Sequence, residues 1–155
     1  MLITPQPSRF QRIYLDDVLK VDVPFFGADH LPEDYCARFA RLCSHLIFGK
    51  DFPVAHAWQM REKTRAVATL TENSQLVQLV RIKTVIPGML LGVYSEDSLY
   101  NPDGLRSYTH IGVYLGQQSG KPLILEQFGD EVRIIDLQGY KLEGLFIKEI
   151  LDLRS

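Results

Sequence analysis

From Pro87-Gly88 onward the chain breaks into short apolar runs joined by very short polar connections, and no other feature restricts its fold as much. Five runs are expected as strands: 89–94, 107–115, 123–128, 132–137 and 145–153. The connections at Gly116–Gly120 and Gly129-Asp130 are too short for a crossover helix, so neighbouring strands must pair antiparallel. Upstream, the apolar residues recur at helical spacing instead. Cys36, Phe39, Ala40, Cys43 and Ile47 fall on one stripe, with Arg38, Arg41 and His45 opposite. Pro32 suits a first helical turn and Gly49 a stop. A second helix is expected over 55–63, carrying Trp58, the only tryptophan, as a core residue. Residues 67–70 are a strand candidate. The runs 10–23 and 75–83 have no decisive period. Helices followed by a run of antiparallel strands is the α+β pattern.

A length of 155 residues fits one domain over 1–155, with 1–23 a looser lead-in segment. The net charge of −2 is scattered in both signs without a basic run, which gives no footing for nucleic acid. No apolar stretch is long enough for a membrane span. Residues 1–8 lack a basic start followed by an apolar core, so no classical secretory signal is expected. Cys36 and Cys43 lie about two turns, roughly 10 Å, apart along one helix and cannot bridge well. Reduced thiols fit a cytoplasmic protein, or one exported by another route.

Cys36 is the first thiol candidate for chemistry, because unpaired N–H groups and the dipole at a helix N-terminus favour a thiolate. A free cysteine on an apolar stripe is equally an ordinary core residue, and Cys43 is read as one. Glu33 and Asp34 in the same turn oppose a thiolate, so a close imidazolium would have to outweigh them. In Tyr108–Gly116, alternation puts Tyr108, His110, Gly112 and Tyr114 on one face and Thr109, Ile111, Val113 and Leu115 on the other. His110 is the candidate base, although a lone strand histidine is commonly structural. Gly112, two residues on, leaves room for another element to approach closely.

An imidazole also needs a partner that fixes its tautomer. The next strand offers Glu126 and Gln127 on opposite faces. If Leu123 and Leu125 share the face of Ile111 and Val113, Glu126 lies beside His110; the rival register, through Ile124 and Phe128, presents Gln127. The period favours Glu126. Metal binding by Cys36, Cys43, His45 and His56 matches no usual zinc spacing, so no metal or cofactor is expected. Tyr94, Tyr100 and Tyr108 are candidates for lining a groove.

Asp34-Tyr35-Cys36-x-x-Phe39 on a helix, then Pro87-Gly88-Met89-Leu90, then His110-Ile111-Gly112-Val113-Tyr114-Leu115-Gly116, resembles the NlpC-type and CHAP-type papain-like cysteine amidases. The likeness covers roughly residues 24–137, and Glu126-Gln127-Phe128 is similar to an acidic-Gln-aromatic run in some small bacterial members. It implies a papain-like fold, with N-terminal helices packed on an antiparallel sheet of about five strands. It further implies a cysteine hydrolase acting on peptide or amide bonds of cell-wall-derived peptides through Cys36, His110 and Glu126. There are departures: Tyr35 intervenes between the acidic residue and the thiol, Met89 stands where an aspartate is usual, and Phe25 or Phe26 replaces an upstream tyrosine. The alternative is a catalytically inactive domain of the same fold that binds a peptide or a protein.

Overall fold

The computed structural model describes residues 7–26, 36–50, 57, 60–95, 108–128 and 131–153. In chain order these form β1 (Arg9–Ile13), β2 (Val21–Phe25), α1 (Cys36–Phe48), α2 (Met60–Lys63), β3 (Thr64–Thr69), α3 (Gln75–Arg81), β4 (Leu90–Ser95), β5 (His110–Gln118), β6 (Lys121–Phe128), β7 (Glu131–Ile135), α4 (Leu137–Leu142) and β8 (Leu145–Leu153). β1 and β2 make a two-stranded ribbon, and the remaining six strands form one antiparallel sheet in the order β3-β8-β4-β5-β6-β7.

The architecture is α+β, as the period change in the sequence implies, but its arrangement corrects two expectations. Helices are not gathered ahead of the sheet: β1 and β2 precede α1, α3 follows β3, and α4 separates β7 from β8. The sheet also has six strands rather than about five, because β3 joins it through β8, which inserts between β3 and β4. Individual segments shift as well. The run 132–137 divides into β7 and the start of α4, since Asp136 accepts the Gly139 N–H and caps a new helix. The ambiguous run 75–83 is α3, which buries Leu76 and Val80 at helical spacing. Of the helix expected over 55–63 only Met60–Lys63 is described as one, and Trp58, His56 and Tyr100 lie outside the described residues, as do Pro32, Glu33, Asp34 and Tyr35.

The sheet is buried on both faces. One core joins Phe39, Ala40 and Cys43 of α1 to Leu90, Ile111, Val113, Leu115, Leu125 and Leu151. The other packs Leu76 and Val80 of α3 and Tyr140 of α4 on Leu91, Val93, Tyr114, Ile124 and Ile150. Period-two alternation explains both: odd positions of β5 fill the α1 face and even positions the other. Tyr108 breaks the pattern expected of it. It precedes β5, turns into the α1-side core, and donates its hydroxyl to Glu149 at 2.6 Å. Tyr94 and Tyr108 are both buried. Tyr94 nevertheless lines a cavity of about 260 Å³ with Leu70, Asn73, Phe146 and Lys148, whereas Tyr108 is a core residue.

α1 has the amphipathic form read from the sequence. Phe39, Ala40 and Cys43 are buried, Ile47 is half-buried, and Arg38, Arg41 and His45 are exposed. Gly49 follows the last turn with φ +68° and donates to His45 O at 3.1 Å, a left-handed stop that a glycine accepts without strain. Phe26, one of the two upstream aromatics, packs edge-on against Phe39 with ring centroids 6.1 Å apart. Among the described residues no helix is long and apolar enough to cross a membrane.

Candidate active site

The site begins where a ladder ends. β5 and β6 pair from Gln118–Lys121 as far as Val113–Leu125, and no pairing continues toward His110 and Phe128. β5 nevertheless stays paired with β4 to Val93–His110, and β6 with β7 to Phe128–Glu131. Each strand is therefore held by its outer neighbour while its inner edge is released. α1 packs across both strands, and its first residue, Cys36, reaches His110 at this released end.

The Val113–Leu125 pairing is the register that places Glu126 beside His110. His110 Nε2 lies 3.2 Å from Glu126 Oε1. The approach is not aligned as a directed hydrogen bond, so charge and proximity dominate it. With Nε2 turned to Glu126, Nδ1 is the nitrogen left for the thiol. Gln127 is also buried but faces away from this pair by alternation along β6. Cys36, His110 and Glu126, the three residues singled out from sequence, are thus brought together.

Electrostatics in the cluster follow from burial set against partners. Burial pushes the Cys36 thiol up, yet the charge and hydrogen bond of His110, helped by the backbone N–H groups of Ile111 and Ala37, bring it below its ordinary value. For His110, burial disfavours the imidazolium; Cys36 and then Glu126 overcome this and raise it to about 10. Both shifts favour the thiolate–imidazolium form of the pair. Glu126, though buried, is held below the usual carboxylate range by His110, Tyr140 and Arg133.

Two of those partners were not legible in the sequence. Tyr140, on α4, is fully buried and donates its hydroxyl to Glu126 Oε1. Arg133, on β7, grips Oε2 with Nε at 2.9 Å and Nη2 at 2.7 Å. Reading 132–137 as one strand hid α4 and with it Tyr140; the signal available was Asp136, a capping residue placed before Leu137 and Tyr140. Gly112 is what admits Tyr140. A Cβ there would stand 2.7 Å from Ile124 Cγ2 and 3.0 Å from the Tyr140 hydroxyl, so the close approach anticipated at this glycine is made by β6 and by α4.

Phe128 closes the outer side. It is about two-fifths exposed, meets the His110 ring edge-on at 5.7 Å between centroids, and carries the Arg133 guanidinium 4.2 Å above its own ring. No group of three or more His, Cys, Asp or Glu side chains suited to a metal occurs among the described residues; His45 is exposed on the far face of α1 from Cys43. The arrangement can supply a nucleophile, a proton carrier and a charge that orients the carrier. A scan against protein-family models finds no match to the chain, and searches of curated proteins and of solved structures likewise find none.

Proposed function

We propose that the protein is a cysteine hydrolase that cleaves a peptide or amide bond through Cys36, His110 and Glu126. The observation that carries this reading is the thiol at the head of α1 paired with His110, with ionised Glu126 directly behind the ring. The thiolate attacks the carbonyl carbon, and the carbonyl electrons move to oxygen, where the backbone N–H of Cys36 can receive the oxyanion. Collapse breaks the C–N bond as His110 passes its proton to the departing amine, leaving a thioester. His110 then takes a proton from water; the hydroxide displaces the thiolate and releases a carboxylic acid. Glu126 keeps the imidazole oriented and favours its cation throughout.

The finer reading rests on the sequence resemblance. A papain-like fold of the NlpC or CHAP type would make cell-wall-derived peptides the substrate class, and the descent from helix-borne thiol to strand-borne histidine follows that order. The test is turnover of a panel of muropeptides and simple amide substrates. Cys36→Ala and His110→Ala should each lower kcat/KM on the order of 10³-fold or more, without adding in the double variant, because the two act as a unit. Glu126→Gln should cost less, since an amide oxygen can still face the ring although the charge is gone. If the parent turns over no member of the panel while Cys36→Ala binds peptide as well as the parent does, the chain is a binding module and the hydrolase reading fails.

A further inference from the structure

We propose that Tyr140 and Arg133 are positioning residues that hold Glu126 as a carboxylate against His110, and so keep Cys36 and His110 in their charged forms. The proposal rests on the thiolate–imidazolium reading of the site. It starts from the division of labour on one carboxyl group. Oε2 is occupied by two nitrogens of Arg133, at 2.9 and 2.7 Å. Oε1 is left to face His110 at 3.2 Å and to accept the Tyr140 hydroxyl. Arg133 thereby decides which oxygen the imidazole meets.

Arg133 is itself fixed from outside. Its Nη1 contacts Glu143 Oε1 at 2.7 Å, just beyond α4, and its guanidinium lies on the Phe128 ring. The groups facing Glu126 are therefore His110 from β5, Arg133 from β7 and Tyr140 from α4, with Cys36 of α1 beyond His110 and Glu143 beyond Arg133. A carboxylate with 1 % exposure and no such donors would take up a proton, since burial penalises its charge. A protonated Glu126 could no longer offset the cost of a buried imidazolium, and the proton shared by Cys36 and His110 would return to sulfur. The hydroxyl of Tyr140 is given to Glu126, and the guanidinium of Arg133 to Glu126 and Glu143, so both act through Glu126.

The experiment is the pH profile of Cys36 alkylation by iodoacetamide in the full chain, read by peptide mass spectrometry beside a thermal melt. It needs no amide substrate. Tyr140→Phe, which keeps the ring and removes only the donor, should raise the midpoint of the profile by about one pH unit, roughly a tenfold loss of rate on the acid limb. Arg133→Met should do the same, Arg133→Lys should recover part of it, and Glu143→Gln should move it least. Profiles of folded Tyr140→Phe and Arg133→Met that superimpose on the parent's would overturn the proposal. Should either variant lose its thermal transition, the Arg133→Lys profile against the parent decides: an upward shift supports the clamp, and none overturns it. If the parent's own Cys36 titrates like an ordinary thiol, the ion-pair reading beneath the proposal is what has failed.

Discussion

α1 carries two thiols on one apolar stripe, and they differ in every chemical respect. Cys43 sits mid-helix with no exposure, among Phe39, Ala40 and the β5 core, and burial alone drives its thiol well above the ordinary value. Cys36, seven residues earlier at the head of the same helix, is half-buried and shifted the other way by His110. The helix, the stripe and the residue type are shared, so none of them sets reactivity. What differs is the partner: a strand end where β5 has parted from β6 and presents an imidazole with a carboxylate behind it.

The largest consequence is in labelling. At neutral pH iodoacetamide should modify Cys36 on the order of a hundredfold faster than Cys43 in the folded chain, because only Cys36 combines a partner that favours its thiolate with access to solvent. Peptide mapping after a short pulse measures the ratio; a ratio near one would erase the contrast. Next comes the partner's own support. Gly112→Ala puts a Cβ against Ile124 and the Tyr140 hydroxyl, so the overpacking should cost about 1–3 kcal/mol by thermal or urea melts. It should also slow Cys36 alkylation by displacing α4 from Glu126, whereas a change confined to stability would show that α4 does not act on the thiol. The smallest effect sharpens the comparison from its other side. Cys43→Ser places a hydroxyl in an apolar pocket and should cost about 1–2 kcal/mol with the Cys36 alkylation rate unchanged, whereas Cys36→Ser should cost less stability and lose the reactivity.

How far the residues disclosed the site follows from the range of the interactions involved. Period two in β5 separates Ile111, Val113 and Leu115 from His110 and Gly112, and one apolar match, Leu125 across from Val113, is enough to bring Glu126 beside His110. These are local patterns. The stripe of α1 and its stop at Gly49 are local too. Arg133 and Tyr140 escaped because their importance lies in where β7 and α4 return to β6, which no spacing within either segment records. The place of β8 between β3 and β4 escaped for the same reason: strand order is decided by long-range packing, not by the alternation that makes each strand. Tyr108 lies on the α1 side because it precedes β5, where the alternation of the strand does not hold.

The signs of the shifts give pH windows that can be checked. His110 is raised from 6.5 to about 10, so its contribution to stability is complete below 6.5 and is lost as pH rises through about 10. Cys36 is lowered, so its contribution is present above its unfolded value of 9.0 and is lost as pH falls through its folded one. Activity that needs both charges should then hold across neutral pH and decline as pH passes about 10.

The claim that His110 makes the Cys36 thiolate is tested most directly by the alkylation rate of Cys36 against pH in the parent and in His110→Ala. The account predicts that the parent keeps a fast plateau on the acid side of the ordinary thiol range, and that His110→Ala loses this plateau and reacts only as alkali ionises an unpartnered thiol. Two profiles with the same midpoint, in variants that both remain folded, would contradict it.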